Sequence, residues 1–500
     1  MNFSLLFGTG GWKRHIIVVM ILFGIINNSQ MRSLLPVAIT QMVEPIPAVV
    51  TQKIDVSVCP LPEHNVTKIS SVNVSPFSSK VKQNVTRFKW SQEMQGVILS
   101  AMFYGYAAGH IPAGLMVQKI GAKMVFLASI LCTSVLTLLT PIGVELGGVW
   151  TMIFMRVLMG FFQGGIFPSA ITLISSWIPI SERGLASATA FSGTSAGIIL
   201  GTYFSGLLLH NFEGWSSVFY VFGAVGLISS GIFAFLCYDS PEQHPFIDRD
   251  EREYLRMELR QISGRKPATP WKALLTSPPV LALICSQACH DFSFYIILSD
   301  LPKYMNDVLH VSIKDNGLYS SIPHIFRILS TFIFGYINDW ITSTACLSMT
   351  NTRKLFVVIA SIIPAIFTMM ASYVGCNEIL AVTAFAIAVA SLGPILVASN
   401  INPMDLSPNF ASIIAALSVG TGSVCGIVAP TAVGLMTPNS LLSEWRVVFW
   451  ITAGLHAFKA IVFSVWGTAD CQPWDTPKVS ISESRSSDET EKLADNVEMK

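Results

Sequence analysis

Charge is scarce in this 500-residue chain: only 12% of its positions are Asp, Glu, Lys or Arg, roughly half the share found in soluble domains. The 31 basic and 30 acidic residues leave a formal net charge of +1, which argues against nucleic acid or any strongly charged partner. Metal-like cysteine pairs are lacking as well. Cys132, Cys237, Cys285, Cys289 and Cys425 stand in apolar stretches and read as small core residues. Cys59 and Cys376 fall in loops expected on one side of the protein, and a disulfide between them is left open. No cleavable leader is evident, because the first apolar run follows Lys13 and Arg14 and is too long for a signal core. No Ser/His/Asp or metal-ligand cluster marks an enzyme, so a membrane enzyme using His290 or His110 stands only as a rival reading.

What the chain has is apolar length. Hydrophobic residues make up 52% of it and the mean hydropathy is +0.57, which requires many segments of about 20 apolar residues each. Such runs fall near 15–42, 94–117, 123–144, 149–176, 185–209 and 216–238, then near 278–300, 316–339, 353–374, 378–402, 410–436 and 446–468. The expectation is an all-α polytopic membrane protein of twelve spans in two six-helix halves, 15–238 and 278–468. A short N-terminus (1–14), a charged linker (239–277) and a Ser-rich acidic tail (469–500) flank them. Asp250–Arg260 in the linker predicts a short surface helix.

Basic residues fix the expected orientation. Lys13, Arg14, Lys119, Lys123, Arg183, the linker, Arg353 and Lys354 fall on one side, so both termini are expected in the cytoplasm. The long loop 43–92 lies opposite and holds the sequons Asn65-Val-Thr67 and Asn84-Val-Thr86, expected glycosylation sites. An internal repeat supports like-oriented halves: Gln95-Gly96 and Gly114 recur as Asn316-Gly317 and Gly335, and Trp215 with Phe219 recurs as Trp445 with Phe449. Parallel six-helix halves around a central site are the build of the major facilitator fold.

Intramembrane charge carries the functional signal, since a base at mid-bilayer is costly and usually faces a cavity. Arg156 has no acid one turn away, and a guanidinium is permanently charged and forks onto carboxylate or phosphate. Arg32 lies late in the first span, where snorkelling to headgroups and contact with an anion are both open. Arg327 sits mid-span in the second half, with anion contact and pairing to another helix both open. Tyr104, Phe294 and Tyr295 are expected to shape the cavity. His290 and Asp291 point about 100° apart on one helix; either could serve coupling to H⁺ or Na⁺, or both could be satisfied core polar groups. The Gly- and Ser-dense runs Ser192–Gly197 and Gly420–Gly426 mark close helix packing.

These residues stand within motifs that resemble the anion/cation symporter family of sodium–phosphate cotransporters, sialin and the vesicular glutamate and nucleotide transporters. Tyr104-Gly-Tyr106, Ile111-Pro-Ala-Gly114 and Lys119-Ile-Gly-Ala-Lys123 resemble its GY…QIPGG…K-GAK element, departing at His110 and Ala113. Arg156, Gly160, Gln163-Gly164, Trp177-Ile-Pro179 and Glu182-Arg183 resemble its next run. Asn402-Pro-Met-Asp405 with Pro408, and Gly467 with Gln472-Pro-Trp474, resemble its later signatures.

The resemblance implies that Arg32 and Arg156 occupy anion-binding positions, that His290 and Leu99 replace an arginine and a histidine of the glutamate transporters, and that Gln163 replaces an acidic residue linked to proton coupling. A glutamine cannot release a proton, so the likeness leans to the phosphate and organic-anion branch, with coupling left to His290 or Asp291. It also implies gating charges at one face, here Asp339 with Lys123 and Arg183, Asp339 pairing with a base. The expected protein is a monomeric secondary transporter of a small anion in a lipid bilayer, of the plasma or an endolysosomal membrane. It is driven by Na⁺ or H⁺ and needs no cofactor or metal; the alternatives are a sialin-like proton-coupled transporter of acidic sugars or amino acids, and an anion channel.

Overall fold

The computed structural model describes residues 12–43, 87–212, 214–259, 269–307, 313–374, 377–437 and 442–475. Asn65, Asn84, Cys59 and Cys376 lie outside these residues. In hydrocarbon a backbone must satisfy its own polar groups, so the apolar runs become helices. The first half comprises α1 (Lys13–Met42), α2 (Gln92–Ile120), α3 (Ala122–Gln163), α4 (Ile166–Trp177), α5 (Arg183–Asn211) and α6 (Ser216–Leu236). The linker contributes α7 (Arg249–Glu258) and α8 (Trp271–Thr276). The second half comprises α9 (Pro278–Asp307), α10 (Ile313–Thr344), α11 (Met349–Tyr373), α12 (Glu378–Ala390), α13 (Gly393–Ala398), α14 (Asn402–Leu406), α15 (Ala411–Met436) and α16 (Leu442–Trp466).

Nine helical runs among the described residues are long and apolar enough to cross a membrane. One of them, Ala122–Trp177, holds two crossings, because Gly148 at φ 62° and ψ −145° turns the chain back within α3, a conformation that glycine adopts without a Cβ clash. With α2 (29 residues) and α10 (32 residues) the spans number twelve, six before the linker and six after it. The fourth span breaks at Gly164-Gly165 between α3 and α4, and the tenth breaks at Ser391-Leu392 between α12 and α13. The repeat read from glycines and tryptophans therefore extends to a matched pair of broken helices.

Apolar packing separates the two faces of the bundle. On the face that carries the linker, one buried cluster joins both halves, from Ile17 and Ala113 through Trp177 and Ala188 to Phe356, Ile413 and Phe463. On the face that carries the 43–92 loop, each half has its own cluster, around Leu35 and Trp215 in the first and around Phe385 and Trp445 in the second. The halves are thus fused at the linker face. There α7 docks through buried Leu255 and Glu251, and Glu251 accepts from the backbone N–H of Lys13 at 3.4 Å and of Arg14 at 3.2 Å. An acidic side chain at a helix N-terminus meets both orphan N–H groups and the positive end of the dipole.

The small-residue runs pack closely. Gly193, Gly197 and Gly201 of α5 lie against Leu22, Ile26 and Gln30 of α1, inside the first half. Gly420 and Gly426 of α15 instead face His110 and Phe103 of α2, across the two halves.

Candidate functional site

Arg32 stands on α1 one turn before Pro36. A proline has no N–H to give the carbonyl four residues back, so the Arg32 carbonyl lacks its intrahelical bond. The Arg32 guanidinium lies over the Tyr106 ring at 4.4 Å and the Phe103 ring at 5.7 Å, and it interacts with the hydroxyls of Tyr106 and Tyr295. Tyr295 belongs to α9, so this aromatic box is built by both halves, and Phe103 and Tyr295 close it edge to face at 5.1 Å. Arg32 Nε and Nη2 have no hydrogen-bond partner. The Arg32 side chain therefore lies at the junction of the two halves, among aromatic rings of both.

Arg156 is 2% exposed. Its Nη1 donates to the Met31 carbonyl at 3.4 Å, its Nε has no partner, and it is near enough to Arg32 for the two charges to interact. Close approach of the helices puts it there: a Cβ on Gly105 or Gly160 would collide with the Val157 or Met102 carbonyl of the opposing helix. Gln163, two turns along from Arg156, is fully buried with both amide atoms unpartnered. Buried polar groups are normally bonded, and here several donors beside two like charges are not.

From the second half, Arg327 on α10 lies over the Phe294 ring at 4.5 Å, with Nε and Nη1 unpartnered. His290, one turn before Phe294 on α9, stacks on that ring at 6.2 Å, and His324 meets it edge-on at 6.3 Å. Asp291 takes Gln287 Nε2 on both carboxylate oxygens at 3.1 Å. Its charge is felt by Arg32 and by Arg327. The site is therefore a ring of bases and aromatics with one carboxylate, shared between α1, α2, α3, α9 and α10.

Other sequence candidates fall elsewhere. Tyr104 is 55% exposed, on an outer stripe of α2 with Val97 and Ile111, so it does not shape the interior. The tyrosine two residues on, Tyr106, does, because 200° of helical rotation separates them. Leu99 is half-buried at the loop-face core. Lys123 stays within its own half: its backbone N–H donates to Asp239 at 2.7 Å and its ammonium lies 4.2 Å over the Tyr238 ring. Arg183 donates to the carbonyls of Ile178 and Ser175 at 3.1 and 3.3 Å, a cation at the C-terminal end of α4.

Asp339 does cross between halves, but not to a base. It accepts from the backbone N–H of Gly184 and of Leu185, each at 2.7 Å, in the first turn of α5. Its hydrogen bonds cap a helix N-terminus, and the base near enough to interact with it by charge is Arg353 of its own half. Gly184 and Gly335 are needed for this approach, since a Cβ on the first would strike Asp339 and on the second would press on Ala188.

Lys459 and His456 on α16 are both fully buried and were not among the sequence candidates, although a lone base in an apolar run marks them as it marks Arg156.

The sequence profile described as Major Facilitator Superfamily matches residues 21–430. The chain is 34% identical over 397 residues, 78% of its length and 75% of the other's, to a Drosophila melanogaster protein named "Putative inorganic phosphate cotransporter". It is 31% identical over 466 residues to human sialin, covering 92% of this chain and 90% of sialin, and 32% identical over 409 residues to human vesicular glutamate transporter 2, covering 81% and 70%. The fold matches that of the proton:xylose symporter XylE with a TM-score of 0.65 at 13% identity, over 92% of this chain and 97% of that one. The chain is a multi-pass membrane transporter that belongs to the Major Facilitator Superfamily and, within it, to the anion cotransporter family of the inorganic phosphate cotransporters, sialin and the vesicular glutamate transporters.

Proposed function

We propose that the protein carries a small anion, inorganic phosphate or an organic anion, across its membrane by alternating access, driven by Na⁺ or H⁺. The observation that carries this reading is the pairing of Arg32 and Arg156 at the junction of the halves, with Nε of each unpartnered and aromatic walls around Arg32. Two like charges held together out of water are costly, and an anion seated between them offsets that cost. Arg327 and Phe294 receive the same guest from the second half, and Tyr295 and Tyr106 supply hydroxyl donors. Gln163 holds a neutral place beside the site, which leaves Asp291 and His290 as the titratable groups able to couple the anion to a cation.

The linker face is the cytoplasmic face in this reading. Both termini are cytoplasmic, Asn65 and Asn84 are glycosylated on the opposite side, and the working unit is a monomer in the plasma or an endolysosomal membrane. Asp339 gates by releasing α5 when the cytoplasmic ends part. An enzyme reading has no support among the named relatives, which are transporters and cotransporters.

The test is uptake of labelled phosphate, sialate and glutamate into proteoliposomes, with Na⁺ and pH varied independently. Arg156→Ala should lower uptake of the transported anion by about 10- to 100-fold, the scale of one lost charge-assisted contact. Full uptake by that variant removes the assigned role, and currents that reverse at the anion's Nernst potential without cation dependence identify a channel instead.

A further inference from the structure

Against α9, the second half encloses a polar group that the anion site does not use. Lys459 of α16 is 0% exposed, and its ammonium donates to the Ala360 carbonyl of α11 at 2.8 Å. That carbonyl is free for a reason written in the sequence. Pro364 lies inside α11 four residues on, and a proline supplies no N–H to close the turn. His456, one turn before Lys459 on the same helix, is 0% exposed with neither ring nitrogen bonded. His290 is 2% exposed and its Nδ1 is unpartnered.

The groups facing this cluster come from every packed helix. From α9 they are Cys289, His290 and Asp291, from α10 Arg327, from α15 Cys425, from α11 the Ala360 carbonyl, and from α16 itself His456. Lys459 interacts electrostatically with Asp291, and Asp291 in turn with Arg327 and Arg32. Asp291 therefore connects the anion site to this cluster.

The chemistry of the Ala360 contact matters. A carboxylate partner would hold a lysine charged. A carbonyl accepts an N–H from an ammonium and from a neutral amine alike, so Lys459 keeps its place in both protonation states. Lysine, unlike arginine, can release its proton when buried, and unbonded imidazoles beside it can pass one on.

We propose that Lys459, with His456 and His290, is the proton-binding site of the transport cycle. One proton binds the Lys459 amine to give the ammonium when the anion seats on Arg32 and Arg327, and the same proton leaves from the amine when the anion departs. The link is reciprocal: an anion on the arginines favours a cation on Lys459, and the cation favours the anion. This rests on the anion-transport reading above and selects H⁺ over Na⁺ as the driving ion.

The experiment separates two assays in proteoliposomes, using whichever of labelled phosphate, sialate or glutamate the wild-type protein exchanges. Homo-exchange needs no net proton movement; accumulation driven by a pH gradient does. An inward gradient of one pH unit supports about tenfold accumulation per coupled proton. Lys459→Met should still exchange the anion when it is supplied at saturation, with a raised KM, yet lose gradient-driven accumulation and show a flat pH profile. His456→Phe should reduce accumulation in the same sense.

Because Lys459 also satisfies a proline-freed carbonyl, the double variant Pro364→Ala/Lys459→Met restores the intrahelical bond without the amine. Exchange with no accumulation in the double variant supports the proposal. Restored accumulation shows that the lysine serves only the carbonyl and overturns it, as does pH-driven accumulation retained in Lys459→Met or a wild-type protein driven by Na⁺ alone. Failure of the wild-type protein to exchange any of the three anions instead defeats the anion reading and the proton site with it.

Discussion

At the linker end of α10, Asp339 takes two backbone N–H groups from α5 of the other half. At the matching end of α2, four residues after Gly114 as Asp339 is four after Gly335, the side chain is Gln118. It donates to the Asn409 carbonyl at 3.3 Å and accepts from the Thr269 hydroxyl at 3.3 Å. One junction is a charged cap on a helix dipole and the other is a pair of long, neutral hydrogen bonds. A second contrast runs the same way. Arg353 and Asp405 form a buried ion pair at 2.9 Å, with Arg353 also reaching Asn338 at 2.7 Å and the Val397 carbonyl at 3.0 Å. In the first half, Arg14 and Glu182 pair at 3.2 Å with the glutamate side chain 36% exposed. The duplicated fold has kept its geometry and redistributed its charge, so the two halves need not contribute equally to closing the linker face or to stability.

Four substitutions sharpen that contrast. The largest effect is expected at the buried pair: Arg353→Ala takes from Asp405 its direct ion-pair partner and should destabilise the second half by about 3–5 kcal/mol. Glu182→Ala at the exposed pair should cost no more than about 1 kcal/mol. Thermal unfolding of detergent-purified protein, followed by tryptophan fluorescence, reads both. Equal losses would mean that the two halves do not differ in this way.

Next comes Asp339→Ala. Removing a capping carboxylate costs about 1–2 kcal/mol, which should open the linker face roughly 5- to 30-fold more often. A cysteine placed at Ala188, buried against Gly335, reports this by its alkylation rate once Cys346 and Cys471 are serine. An unchanged rate would show that Asp339 does not hold the junction. A smaller opening than that of Asp339→Ala is expected for Gln118→Ala, about 0.5–1.5 kcal/mol for neutral bonds, read with the same reporter. A larger opening than that of Asp339→Ala would reverse the ranking of the two junctions.

Much of the architecture was legible without coordinates, because bilayer thickness turns apolar length directly into span number and the repeat ties the halves together. The site was legible where charge is out of place: Arg32, Arg156, Arg327, His290 and Asp291 all stand in apolar runs. Neighbours were less readable. Tyr104 and Tyr106 belong to one motif, yet helical rotation sends the first outward and the second onto Arg32. Lys123 and Arg183 carry the expected charges but bind within their own half, since loop position gives the face of the bundle and not the partner.

By itself, the order of residues determined the twelve spans, their duplication, the family and the unusual bases within the membrane, all of which follow from local hydropathy and helical period. Only the tertiary structure decided which bases meet. Arg156 reaches the Met31 carbonyl beside Arg32, Asp339 caps the first turn of α5, and Lys459 finds the carbonyl that Pro364 sets free. These outcomes depend on contacts between residues far apart in the chain, where packing distance and direction, and not composition, set the energy.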